Sequence, residues 1–214
     1  MFIIDNTYFI RENYIPNAGT ASSAEKLNIE MLIDEKCPLF LRDYALGIDL
    51  YNSLLSNMTN GVLKNDAQDK WKNLVNGCEY TINGENFVWQ GLKYEMGSFK
   101  GSLLADYITY LWLEQNYSTT TGLGQKVVEA KNTISVSANA KLAETWNRFL
   151  MKYNGGLNIN EPTIWYKDGV RVVDYFKNSS NSASLIQFLQ QNPLDYPDAL
   201  CRCFEQGFIN RFGL

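Results

Sequence analysis

The stretch from residue 98 to residue 117 constrains this chain most, because its apolar side chains recur at spacings of three and four. That spacing places them on one face of an α-helix, and the face is too wide to be left in water. The apolar positions are Phe99, Leu103, Leu104, Tyr107, Ile108, Leu111 and Trp112. A helix of this length with so broad an apolar face predicts a core of packed helices.

Other helices are predicted on both sides of this one. The first begins near Ala24 behind a Ser22 or Ser23 cap, and Pro38 ends or offsets it. Gly47 separates the next two. The predicted helices before and after 98–117 cover about 24–37, 39–46, 49–58, 66–75 and 137–153.

One β-hairpin is predicted inside this helical region, at about 79–90. Asn83-Gly84 lies between the β-prone segments 80–82 and 87–89. Asn and Gly both accept the positive φ angles of a tight hairpin turn, so the pair is a strong hairpin signal. We therefore expect a hairpin inserted into an otherwise helical core.

The two ends of the chain predict extended arms. Residues 1–21 hold short β-prone clusters separated by polar residues. Asn154-Gly155-Gly156 marks a boundary, and 156–214 follows with a second hairpin around Lys167-Asp168-Gly169 and short helices. The predicted fold class is therefore mainly α, a helical-bundle core over 22–155 with a β-hairpin insertion and extended N- and C-terminal arms.

The composition excludes several kinds of chemistry. The chain has no histidine, which removes Ser-His-Asp and Cys-His catalysis and His-ligated zinc. Cys37, Cys78, Cys201 and Cys203 match neither a zinc ribbon nor a C-x-x-C redox motif, and free thiols are expected. We expect no enzyme activity, no catalytic residue, no cofactor and no metal.

Charge and hydropathy limit the partners. The net charge is −4, whereas a protein that grips nucleic acid through its phosphates is expected to be basic. Five lysines between 64 and 100 are interspersed with acids and are interpreted as solvated faces. No segment approaches the roughly 20 apolar residues of a membrane span, so no membrane partner is expected.

Two further motifs were weighed for chemistry. Gly122-Leu123-Gly124 follows a helix rather than a strand, so it is interpreted as a shaped loop and not as a phosphate cradle. Asp106 and Glu114 on the long helix are about 12 Å apart, too far for a glycosidase pair, and indicate a solvated or ion-paired face.

Several short motifs, in order along the chain, resemble the head–tail connector proteins (adaptor, neck-ring or head-completion proteins) of tailed bacteriophages, in the branch found in phages of Bacteroidetes, including crAss-like phages. Pro38 to Gly47 is similar to the family's P-x-F-L-R-D-L-L-G helix, and the last six residues, 209–214, are similar to its I-N-S-F-G-I ending. The other motifs are Trp71-Lys72-Asn73-Leu74-Val75-Asn76-Gly77, Trp89-Gln90-Gly91-Leu92, Ala105-Asp106-Tyr107-Ile108-Thr109-Tyr110, Thr120-Thr121-Gly122-Leu123-Gly124 and Ala143-Glu144-Thr145-Trp146-Asn147. The long N-terminal stretch and residues 156–192 have no counterpart.

The resemblance implies a structural virion protein, made and assembled in the host cytoplasm and located in the neck of the particle. Such proteins form a homo-oligomeric ring, commonly of about twelve subunits, that connects the capsid portal protein to other neck or tail proteins. Double-stranded DNA passes through the lumen without specific binding, which suits an acidic chain because like charge repels phosphate.

Under this interpretation the candidate site residues act by burial against a neighbour. Contacts with the portal or a neighbouring subunit are expected from Trp165, Tyr166, Phe208, Ile209, Phe212 and Leu214, while Phe9, Tyr14 and Ile15 brace the core or a neighbour. A candidate contact loop consists of Thr120, Thr121, Gly122, Leu123 and Gly124. Deleting residues 200–214 is expected to leave the core folded and to block attachment.

A different class of function stays open at this point. The same chain fits a non-catalytic, protein-binding accessory module of a host bacterium, which would remain monomeric and would not bind a portal ring. The mass of the protein, alone and with the portal protein, separates the two hypotheses.

Overall fold

The computed structural model describes residues 2–20, 23–96, 99–116, 118–121, 124–127, 138–155, 166–167, 170–171 and 182–204. Its α-helices are α1 (Ala24–Phe40), α2 (Ile48–Ser56), α3 (Asp69–Asn76), α4 (Leu103–Asn116), α5 (Ala138–Asn154) and α6 (Leu185–Gln191). A π-helical turn, Leu41–Leu46, follows α1, and 3-10 turns cover Asn6–Tyr8 and Arg11–Asn13.

The strands pair in small, separate sheets. β3 (Cys78–Ile82) and β4 (Glu85–Trp89) form the hairpin around Asn83-Gly84, and β11 (Ser182–Ala183) adds to β4 in parallel. The antiparallel pairs are β1 (Met58–Thr59) with β2 (Val62–Leu63), β5 (Tyr94–Met96) with β6 (Phe99–Gly101), β7 (Ser118–Thr121) with β8 (Gly124–Val127), and β9 (Tyr166–Lys167) with β10 (Val170–Arg171).

The expected fold class, a mainly α helical bundle, is therefore wrong. Helices and small sheets share one core, and the fold is mixed α and β. The helical stripes were visible in the sequence because they are local and periodic. Short strand pairs such as β11 with β4 join residues about 94 positions apart, and strands of two residues leave no periodic pattern.

The extended arms of the predicted fold class are also wrong for the described parts of both ends. Near the N-terminus Phe2, Ile4 and Tyr8 are buried in the same core as the helices. At the other end α6 packs its Phe188 ring on Trp89 of the hairpin, with ring centroids 5.4 Å apart. Both ends thus belong to the core because each carries apolar side chains that it can bury within its own chain.

Helix α1 does not stop at Pro38. Ser23 caps its first turn, where its Oγ accepts a hydrogen bond from the backbone nitrogen of Lys26 at 3.0 Å. The helix then runs through Pro38 to Phe40 and widens into the π-helical turn. Burial of Cys37 and Phe40 holds the helix together there and outweighs the hydrogen bond that proline cannot donate.

The long helix α4 lies at the centre of the molecule. It packs against α1 and along α5, and its residues from Leu103 to Ala105 are fully buried. Ser102 caps its first turn, with its Oγ accepting from the backbone nitrogen of Leu104 at 3.0 Å. The packed pair of α4 and α5 positions the two clusters described next.

Candidate interaction site

The chain returns to the helical core just before its C-terminus. The backbone nitrogen of Cys201 donates to the carbonyl of Ala45 at 3.0 Å, and that of Arg202 donates to the carbonyl of Tyr44 at 2.7 Å. The Tyr153 hydroxyl lies 2.5 Å from the Arg202 carbonyl and 2.9 Å from that of Tyr44, and donates its single proton there. These bonds fix residues 201–202 against the π-helical turn.

Phe204 completes this attachment. Its half-buried ring stacks on Tyr44, with centroids 4.3 Å apart and an angle of 11° between planes, and meets Trp146 edge-on at 5.3 Å. Aromatic pairs in these geometries stabilise beyond the area they bury. The other rings within 6.3 Å of it are Phe40, Tyr107, Phe149 and Tyr153. We call these seven rings, Phe204 included, the aromatic cleft.

A buried ion cluster lies in the same helix pair. Asp106, in the first turn of α4, is fully buried, and its Oδ1 accepts from Arg148 Nε at 2.7 Å. Its Oδ2 lies 2.6 Å from Lys152 Nζ. Asn13 donates to Asp106 Oδ1 at 2.8 Å and accepts from Arg148 at 2.6 Å. The cluster joins the N-terminal segment, α4 and α5.

Electrostatics keep Asp106 ionised. Burial by itself raises the pKa of a carboxyl group, but Lys152 and Arg148 outweigh it and hold the pKa of Asp106 below its ordinary value. A general acid or base needs a pKa near the working pH and an accessible proton. A carboxylate enclosed by two cations and an amide has neither, so this cluster ties the fold together.

The predicted N-terminal site residues separate into two groups. Phe9 and Ile15 are buried within the core of their own chain, so their side chains brace it and are not available to a neighbour. Tyr14 is 57% exposed, and its carbonyl accepts from Lys141 Nζ at 3.5 Å. Tyr14 is therefore the one of the three with surface left for a partner.

The other predicted site residues fall largely outside the described part of the chain. Trp165, Phe208, Ile209, Phe212 and Leu214 lie there, as do Gly122 and Leu123 of the candidate contact loop. Tyr166 belongs to β9, Thr120 and Thr121 to β7, and Gly124 to β8. The hairpin of β7 and β8 thus places both ends of the loop next to each other.

Exposed apolar side chains are the surface feature that sequence reasoning missed. Leu27 and Met31, one turn apart on α1, are 58% and 69% exposed, although their spacing suggested a buried face. The buried face of α1 is instead formed by Ile29, Leu32 and Ile33. The sequence held little signal for this difference, because α1 is apolar on both faces. The remaining exposed apolar residues are Ile48, Leu55, Val62, Leu194 and Leu200.

The described residues offer no metal site and no reactive thiol. No group of three or more Cys, Asp or Glu residues in the described ranges could hold a metal ion. All four cysteines are free, and burial raises the pKa of Cys201 to about 11 and that of Cys37 further.

Among the helices of the described residues, none has the length and apolar character to cross a membrane.

Comparison with protein-family models, with curated proteins and with solved structures gives no match.

Proposed function

We propose that this chain is a structural virion protein that forms an oligomeric neck ring, connects the capsid portal to the tail and continues the DNA channel. The proposal begins with the ordered motifs that resemble phage head–tail connectors. It assigns the chain no chemistry. Its residues act by burying surface on neighbouring subunits, on the portal protein and on later neck proteins.

One observation carries the proposal: the C-terminal segment is anchored at Phe204, and ten residues follow the anchor. The aromatic cleft and the backbone bonds of 201–202 fix the start of those ten residues. They include Phe208, Ile209, Phe212 and Leu214. A firmly held base followed by four large apolar side chains suits a segment that attaches to a partner.

The motifs behind the resemblance have physical roles that support a shared fold. Helix α3 ends where β4 ends, and its Leu74 carbonyl accepts from Trp89 Nε1 at 2.9 Å and from the backbone nitrogen of Leu92 at 3.1 Å. A Cβ atom on Gly91 would lie 2.6 Å from the backbone nitrogen of Gly77. Two of the quoted motifs thus interlock, which explains why they occur together.

Surface and charge also fit a ring. Identical subunits in a ring contact each other through two different faces. Exposed apolar side chains lie on α1 at Leu27 and Met31, and on α2 at Ile48 and Leu55. The net charge of −4 suits a channel through which DNA slides. These features are compatible with the ring and do not identify its tier.

The test is a chain that ends at Phe204. The structure moves the boundary of the deletion from residue 200 to residue 205, because residues 201–204 are part of the core. We expect this variant to keep the wild-type thermal midpoint and to lose binding to the portal protein of the same genome.

A full-length variant with Phe208, Ile209, Phe212 and Leu214 replaced by serine separates apolar contact from length. We expect it to fail in the same way as the truncated chain. Portal binding at wild-type affinity by both variants would refute the assigned role of the segment. A monomer that ignores the portal even as wild type would favour the accessory-module hypothesis.

A further inference from the structure

A cavity of about 380 Å3 lies on the other side of the molecule's N-terminal segment, away from any residue used above for assembly. Its walls come from four separate parts of the chain. They are residues between Ile3 and Tyr8, between Met58 and Asn65, between Lys72 and Asn76, and between Lys93 and Glu95. Small-molecule sites are concave and of about this volume or larger.

Three lysines from different elements meet at this cavity: Lys64, Lys72 and Lys93. Lys64 Nζ donates to the carbonyl of Ser56 at 2.6 Å. Lys72 Nζ lies 3.4 Å from Oδ1 of Asp69, whose side chain is 91% exposed, so solvent weakens that pair. Each ammonium group carries three donors, and most of the nine remain to be used by a ligand.

The two carboxylates in the wall are already engaged. Asp5 Oδ1 accepts from the backbone nitrogen of Thr7 at 2.8 Å. Glu95 Oε1 accepts from the Tyr8 hydroxyl at 2.8 Å and lies 3.4 Å from Lys100 Nζ. The acids therefore hold the N-terminal segment in place, while the lysines give the cavity a positive balance within an acidic chain.

The walls are held in position by backbone bonds. Lys93 donates its backbone nitrogen to the carbonyl of Val75 at 2.9 Å, and Ile3 donates to the carbonyl of Gly61 at 2.8 Å. The first bond ties the strand of Lys93 to α3, and the second ties the N-terminal segment to the β1–β2 hairpin. A site whose walls are fixed in advance loses less conformational freedom on binding.

We propose that this cavity binds a small phosphate-bearing anion of the size of pyrophosphate or a nucleotide phosphate. Lysine ammonium groups bind phosphate as compact point charges, and three of them converge here. The amides of Asn65 and Asn76 lie in the same wall and supply neutral donors. The site is independent of the proposed ring, because none of its residues belongs to the C-terminal attachment.

The test is calorimetric titration of the full-length protein with pyrophosphate at constant ionic strength. We expect saturable binding at one site, and we expect Lys93→Gln to weaken it about tenfold, the loss of one charge-assisted hydrogen bond. Lys36→Gln is the matched control, because Lys36 pairs with the exposed Glu35 outside the cavity and removes the same charge. The control is expected to bind as wild type.

A second variant tests the opposite direction. Glu95→Gln keeps an oxygen acceptor for Tyr8 and removes one negative charge from the wall, so it should bind pyrophosphate more tightly than wild type. A short duplex DNA at equal phosphate concentration should not compete, because a duplex cannot enter a cavity of this size. Absence of saturable binding, equal weakening by Lys36→Gln and Lys93→Gln, or effective competition by DNA would each overturn the proposal.

Discussion

The ring of Phe204 stacks on the ring of Tyr44 at a centroid distance of 4.3 Å, and this contact holds the C-terminal segment to the first helices of the chain. The two residues are 160 positions apart in the sequence. Their contact closes the molecule just before the ten residues to which we assign attachment. Its energy can be measured.

Phe204→Ala is expected to lower the free energy of unfolding by about 2 kcal/mol, because it removes a half-buried ring from a cluster of aromatic neighbours. Urea unfolding followed by tryptophan fluorescence measures the change. Leu194→Ala is the control, since Leu194 is 97% exposed, and it should stay within about 0.5 kcal/mol of wild type. Equal effects of the two substitutions would show that Phe204 is not an anchor.

Asp106→Ala should destabilise the fold by about 3–5 kcal/mol, because Arg148 and Lys152 then lose the carboxylate that compensates their charge. Thermal and urea unfolding measure the loss. Asp43→Ala makes a useful comparison. The ion pair of Asp43 with Arg42 is 40% exposed on both sides, and its loss should cost less than about 1 kcal/mol. A small effect at Asp106 would mean that the cluster does not join the three segments.

The same carboxylate predicts a pH dependence. The pKa of Asp106 is depressed in the folded protein, so its contribution to stability is present above its unfolded pKa of about 4 and is lost as pH falls below that value. Asp106→Asn cannot titrate there. The stability difference between wild type and this variant should shrink from pH 6 to about pH 3. A constant difference over that range would show that the pKa is not depressed.

Gly91→Ala should destabilise the fold by about 3 kcal/mol or more, because Gly91 has φ +92° and a Cβ atom there would meet backbone atoms at 2.6–2.7 Å. Backbone on that side cannot yield as a flexible side chain could. Gly19→Ala is the matched control, with nothing within 4 Å of its Cβ, and should change stability by less than about 1 kcal/mol. A mild effect at Gly91 would contradict the close packing of α3 against β4.

Local patterns in the sequence located the parts of the fold whose signal is local. The apolar stripe over 98–117 contains α4, and the predicted helix over 137–153 differs from α5 by one residue at each end. Asn83 and Gly84 take φ angles of +53° and +85°, as their hairpin turn requires. These elements follow from spacing and from turn chemistry, which a single sequence carries.

Contacts between distant residues were not readable in the same way. Asp106 was interpreted as solvated or ion-paired, yet it is fully buried and its partner Arg148 lies 42 residues away on another helix. The N-terminal clusters looked like an arm, because nothing local says that Phe2 and Ile4 pack beside α2 and the β1–β2 hairpin. The cavity lysines looked like solvated faces, since their convergence depends on how four segments pack.

The most direct test of the central claim is the mass of the purified protein by light scattering, alone and mixed with the portal protein of the same genome. The account predicts a particle that contains the portal and many copies of this 24.5 kDa chain, and its mass gives the subunit count. A chain that remains a monomer of 24.5 kDa in both samples would contradict the neck-ring proposal.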